Sequence, residues 1–142
     1  MADKTSSRFT RSGSPKDIET STVFQPLFDA VGLLPAIVED AETGQVLMFA
    51  WMNEDALVKT LDSGQATFWS RSRKKLWTKG EESGNTLQVR EIRTDCDQDV
   101  VLLTVSMGGG KVACHTGAKS CFYRQISHSS SDNAAYTLTS VR

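Results

Sequence analysis

Three cysteines and three closely spaced aspartates are the residues of this chain whose types and spacing could do chemistry. They fall in two segments, Asp95-Cys96-Asp97-Gln98-Asp99 and Cys114-His115-Thr116-Gly117-Ala118-Lys119-Ser120-Cys121, and the chain has no other cysteine. Thiolate selects soft ions such as zinc, whereas carboxylate suits magnesium or calcium, so the pairing points to a soft-metal site beside a hard-metal site. The thiol count matters. Structural zinc is usually closed by four protein ligands, while catalytic zinc keeps three and leaves a position for water, whose pKa then falls towards 7. Cys114 and Cys121 are separated by six residues, wider than a zinc knuckle, but Gly117 permits a loop that brings both thiolates together. The competing readings are three ordinary buried cysteines, which are common in cores, and a solvated acidic strand end.

In an extended chain, side chains alternate faces. If the first segment is extended, Asp95, Asp97 and Asp99 share one face and one hard cation, and Cys96 serves a zinc on the other. The same alternation disfavours Cys114 and His115 on one metal. His115 is open to three roles, as a fourth ligand, an orienting group or a general acid/base, and proton transfer is the preferred one. His128, in the polar tail, receives no role.

A third segment, Ser70 to Asn85, carries Arg71, Arg73, Lys74, Lys75 and Lys79, with Trp77, Glu81, Ser83 and Gly84 among them. Charge runs usually face water. The functional alternative is an anion site, because guanidinium and ammonium groups suit phosphate oxygens and small residues let backbone N–H groups approach a ligand.

The elements that position these segments read as follows. Leu34–Val38 and Gln45–Trp51 are short apolar runs around a Gly44-containing loop, a β-hairpin pattern. Asn53 is a helix N-cap, Glu54 and Asp55 fill the first turn, and Gly64 stops a helix of about ten residues. Ala66–Trp69 resumes strand character. Thr86–Thr94 alternates and then slips phase at Ile92, which implies a bulged strand. Asp99–Ser106 is a more fully buried strand, Gly108-Gly109-Gly110 a hinge, and Cys121–Ile126 a candidate last strand. Residues 1–22 have too few apolar positions to offset ordering and read as a disordered tail. Residues 23–127 form the domain, and 128–142 are mostly flexible, with Tyr136, Leu138 and Val141 able to dock.

At 142 residues, with 39% hydrophobic and 23% charged residues and a net charge of -1, the chain suits one soluble domain and argues against general nucleic-acid or membrane-surface binding. No apolar run approaches the roughly 20 residues of a membrane span, and the N-terminus lacks a secretory apolar region. A cytoplasmic location is the default, and there clustered thiols are more often metal ligands than disulfides.

Taken together, Met52-Asn53, Ser63-Gly64, Leu76-Trp77-Thr78-Lys79-Gly80-Glu81, Ser83-Gly84-Asn85, Asp95-Cys96-Asp97 with Asp99, and Cys114-His115-Thr116-Gly117 with Ser120-Cys121-Phe122 resemble phosphoribosyl-AMP cyclohydrolase, over about Leu33 to Arg124. The resemblance implies hydrolysis of the N1–C6 bond of phosphoribosyl-AMP in histidine biosynthesis, by a homodimer that uses zinc and magnesium. It assigns Cys96, Cys114 and Cys121 to zinc, with Cys96 given by the opposite subunit, and Asp95, Asp97 and Asp99 to magnesium. It leaves Arg71, Arg73, Trp77, Lys79, Glu81, Ser83 and Gly84 as candidates to bind substrate, and His115 to move protons. The expected fold is a compact α+β domain, mostly antiparallel, with one main helix, dimerising to complete its metal sites. The competing class is a non-catalytic, zinc-stapled dimeric module that binds nucleotide or RNA.

Overall fold

A four-stranded sheet carries the core of the computed structural model, which describes residues 7–128 and 136–142. Strand β1 (Leu34–Asp40) alternates buried and half-buried residues, placing Leu34, Ala36 and Val38 inside. It turns at Gly44, whose φ of 75° suits a residue without Cβ, and returns as β2 (Val46–Met52), antiparallel to β1. Helix α2 (Glu54–Ser63) follows. Asn53 Oδ1 accepts from Ala56 N at 2.9 Å, and the Gly64 N–H, at φ 74°, donates to Thr60 O, so both ends are capped as the sequence implies. The helix buries Ala56, Leu57 and Thr60.

Strands β3 (Thr67–Ser70) and β4 (Lys75–Thr78) form a separate hairpin that projects the basic segment. Strands β5 (Leu87–Thr94) and β6 (Val101–Met107) complete the main sheet, in the order β2-β1-β6-β5. Only the β1–β6 pairing is parallel. Val89 pairs with Val105 and Glu91 with Thr104, so Arg90 is the extra residue of a bulge, at the phase slip visible in the sequence. The fold is thus α+β and mostly antiparallel. Leu34, Val38, Leu57, Phe68, Leu87, Val101, Leu103 and Val105 close the core.

Both ends differ from the reading of the sequence. Residues 7–22 contain α1 (Pro15–Thr20), opened by a Ser14/Asp17 capping box. Ile18 is 3% exposed, and Phe9 packs edge-on to Phe24 at 5.4 Å, both rings against the core. Scattered apolar residues that look too few for a core of their own thus dock on the domain's core. The C-terminal residues form a hairpin of β7 (Arg124–His128) and β8 (Tyr136–Ser140), held by backbone pairing. Its side chains do not dock, since Tyr136, Leu138 and Val141 are all exposed. The expectations for residues 1–6 and 129–135 lie outside the described residues. No described helix is long and apolar enough to cross a membrane.

Asp40, 4% exposed at the end of β1, binds Lys119 Nζ at 2.8 Å and accepts from Glu42 N and Thr43 Oγ1. The Lys119 contact chiefly holds its carboxyl below the usual range against the opposing effect of burial. A depressed pKa contributes stability above the unfolded value and loses it as pH falls through the folded value. Asp40→Asn is therefore expected to cost roughly 1–3 kcal/mol near neutral pH, with the deficit closing below about pH 4. Urea unfolding at several pH values measures this, and a pH-independent deficit would contradict it.

Candidate functional site

The three aspartates converge, although not by strand alternation. Residues 95–99 form a tight turn in which Gln98 N donates to Asp95 O at 3.2 Å and Gln98 takes a left-handed φ of 59°. Asp99 N donates to Asp95 Oδ1 at 3.0 Å. The opposite-face expectation for Cys96 is therefore corrected. Candidate ligand atoms of Asp95, Cys96 and Asp97 all lie within 4.8 Å of one another, because the turn folds the chain where an extended segment would have separated them. Hydrogen bonding to Asp95 and Asp97, with their charges close by, pushes the Asp99 carboxyl up to about 6. Partial burial opposes ionisation of Asp95, but hydrogen bonds from Asp97, Asp99 and the Asp99 and Val100 amides outweigh it and lower its pKa.

The second ligand segment closes on itself. Ala113 N donates to Lys119 O, Cys114 N to Ala118 O and Gly117 N to Cys114 O, with Gly117 at φ 91°. Cys121 N then reaches Leu47 O at 2.7 Å and Ser120 Oγ reaches Val46 O at 2.8 Å, which docks the loop on β2. Cys114 and Cys121 are neighbours across the loop, each altering the other's ionisation. Burial alone would raise the Cys114 thiol, but donation from Thr116 Oγ1 at 3.0 Å and Thr116 N at 3.5 Å, together with Cys121 and the Lys79 charge, lowers it. Cys121 moves the other way, pushed up by the withdrawal of its sulfur from water and by the neighbouring Cys114. Cys96 is exposed, and among the described residues no group joins it to the other two cysteines.

Beside the thiols lies a cleft of about 240 Å³ lined by Arg73, Trp77, Lys79, Glu81, Ser83 and His115. Lys79 faces both the cleft and the thiol pair, with its Nζ 5.9 Å from the Trp77 ring centroid. Two candidates lie elsewhere. Arg71 sits over the Trp51 ring at 5.1 Å, and Gly84, at φ 79°, shapes the loop by donating to Gly80 O. Lys75, Thr78, Gly80 and Glu82 also line the cleft; the sequence placed them in the basic segment without singling them out as binding residues, and it gave no role to Thr116 on the Cys114 sulfur. The spacing of Thr116, two residues after a candidate ligand, was the available signal. Gly109, from the glycine hinge, abuts Gly84 O so closely that a Cβ there would clash.

A family model described as phosphoribosyl-AMP cyclohydrolase matches residues 48–123, from β2 through both ligand segments. The chain belongs to this family. Phosphoribosyl-AMP cyclohydrolase of Hyphomonas neptunium is 59% identical over 115 residues, 81% of this chain and 85% of that protein. The enzyme of that name from Bordetella avium is 57% identical over 115 residues, with the same coverages. The one from Brucella canis is 54% identical over 125 residues, 88% of this chain and 89% of that protein. The chain is accordingly a hydrolase of the phosphoribosyl-AMP cyclohydrolase family.

The donor sets suit two different ions. Three carboxylates that share hydrogen bonds and crowd their charges, so that one of them is raised to about 6, form a site that a hard divalent cation would relieve. A thiol lowered by its own hydrogen bonds, beside a second thiol, offers the thiolate that soft metals need.

Two measurements test these electrostatics. The Asp99 pKa is raised above its unfolded value of about 3.9, so its contribution to stability in the metal-free protein is lost as pH rises from about 4 through about 6. Asp99→Asn should remove that loss, leaving chelator-treated protein more stable than wild type at pH 7, and should weaken stabilisation by added magnesium. Thermal melts between pH 4.5 and 7.5 would show it, and an unaltered pH profile would refute it. Thr116→Val should raise the Cys114 thiol pKa and slow its alkylation at neutral pH. Mass spectrometry of metal-free protein provides the rate, and an unchanged rate would remove Thr116 from this role.

Proposed function

We propose that this chain opens the adenine ring of 1-(5-phosphoribosyl)-AMP by hydrolysis of the N1–C6 bond, a step of L-histidine biosynthesis in the cytoplasm. The observation that carries the reading is the placement of a lowered thiol, Cys114, and its neighbour Cys121 beside a basic cleft that His115 also lines. The family and the names of its relatives supply the substrate.

Cys114 and Cys121, joined by Cys96 of a second copy, would hold zinc, and Asp95, Asp97 and Asp99 would hold magnesium. Bound there, zinc supplies Lewis acidity and activation of water at neutral pH, and magnesium neutralises phosphate charge. Separation of Cys96 from the other thiols within one chain, and its exposure, support completion by a partner in a homodimer. Arg73 and Lys79 attract the substrate's phosphates, and Ser83, in the same lining, offers a hydroxyl donor. Trp77 offers an aromatic face to a base or ribose. Together they set C6 near the thiols, where orientation replaces a rare encounter. In the reaction the water oxygen bonds to C6, the N1–C6 bond breaks, C6 remains as a carboxamide, and a proton goes to N1. We assign that proton transfer to His115, the histidine that lines the cleft.

Absorbance during incubation of zinc-replete protein with phosphoribosyl-AMP and magnesium tests the reading. Wild type should open the ring, and Cys114→Ala should lose both zinc and turnover, a fall of at least about a thousandfold. Zinc-loaded wild type without turnover, or a Cys114→Ala protein that retains stoichiometric zinc, would overturn it.

A further inference from the structure

The turn that carries the carboxylates is built around a glutamine no metal would use. Gln98 is 5% exposed and stands at φ 59°, a conformation that a side chain adopts only at a cost. Each end of it is anchored to one N-terminal segment. Gln98 Oε1 accepts from Gln25 N at 2.6 Å, Nε2 donates to Ile18 O at 3.1 Å, and the Gln98 carbonyl accepts from Leu27 N at 2.8 Å. Next to it Arg11 spans the gap, with Nη1 on Gln25 O at 2.8 Å and Nη2 on Asp97 O at 2.9 Å. Gln25 itself is fixed from the same segment, accepting from Ser12 N and donating to Ser21 Oγ. Carbonyls of two consecutive turn residues, Asp97 and Gln98, are thus pinned from behind while the carboxylates on either side of them repel one another.

We propose that Gln98 and Arg11 are positioning residues through which the segment Arg11–Leu27 holds the Asp95–Asp99 turn in its converging shape, so that this segment sets the affinity of the carboxylates for their divalent cation. The inference rests on the reading of Asp95, Asp97 and Asp99 as a magnesium site. An unbraced turn would be free to relax its like charges apart, and each cation bound would then have to reassemble the site. The brace removes that reorganisation, as outer partners of metal ligands do.

The test titrates magnesium alone into full-length, zinc-replete protein by calorimetry, with amide exchange followed at Leu27 and Asp99. Gln98→Gly accepts the positive φ without strain but deletes both side-chain anchors, which separates the brace from the backbone conformation. Arg11→Ala removes the fork from a half-exposed position where loss of folding is not expected. Each should weaken magnesium binding roughly 10- to 100-fold, hasten exchange at Asp99 and leave zinc content unaltered. In Arg11→Ala the lost rate should return when magnesium is raised to saturation, so that the defect lies in the magnesium requirement and not in kcat. Unchanged magnesium affinity in both variants would overturn the brace, whether or not exchange at Asp99 rises. The magnesium reading fails separately: a wild-type chain that binds no magnesium, or an Asp97→Ala chain that binds it as wild type does, overturns the carboxylate assignment and the brace with it.

Discussion

The hydrogen bond from Cys121 N to Leu47 O, 2.7 Å long, is the contact on which the rest of the site depends. It fastens the loop between Cys114 and Cys121 to β2, and β2 is paired to β1, whose apolar side chains are buried in the core. Ser120 and the Lys119–Asp40 pair reinforce the same seam. Two thiols with six residues between them in a flexible loop would meet only rarely. Fixed to a sheet edge, they stand together beside the β3–β4 hairpin that brings Lys79, Trp77 and Arg73.

The two candidate ligand sets are prepared in opposite senses. At the thiols, donors surround Cys114 and favour its anion. At the carboxylates, like charges crowd and one proton is retained to about pH 6. Each arrangement would leave free energy to be recovered if a cation bound, the first by having thiolate ready and the second by relieving the crowded carboxylates. A protein that merely displayed acidic residues on a surface would spread them apart. Here a left-handed Gln98 and an N-terminal segment hold them in one turn.

Much of this was legible in the residues alone, for local reasons. Asn53 and Gly64 bound α2 because capping is written within four residues of each helix end. The bulge at Arg90 shows as a slip in alternation, and Gly117 marks where the cysteine loop can turn. What was not legible depends on distant partners. The Asp95–Asp99 segment alternates like a strand, yet its shape is set by bonds from Gln98 to residues 73 and 80 positions earlier. The same bonds explain why residues 7–22 are ordered despite a composition that resembles a tail. Arg71 looked like its basic neighbours, but the Trp51 face draws it away from the cleft. The separation of Cys96 from the other cysteines follows from topology, since the turn before β6 and the loop after it lie at opposite ends of that strand.

That separation fits the proposed reading, in which each active site would take Cys114 and Cys121 from one chain and Cys96 from another. The most direct measurement mixes two inactive proteins, Cys96→Ala and Cys121→Ala, and assays ring opening after subunit exchange is verified. In a symmetric dimer with random exchange, half the molecules are mixed and each has one intact site, so about a quarter of the wild-type rate should return. No recovery in a mixture whose subunits have exchanged would contradict a site shared between chains.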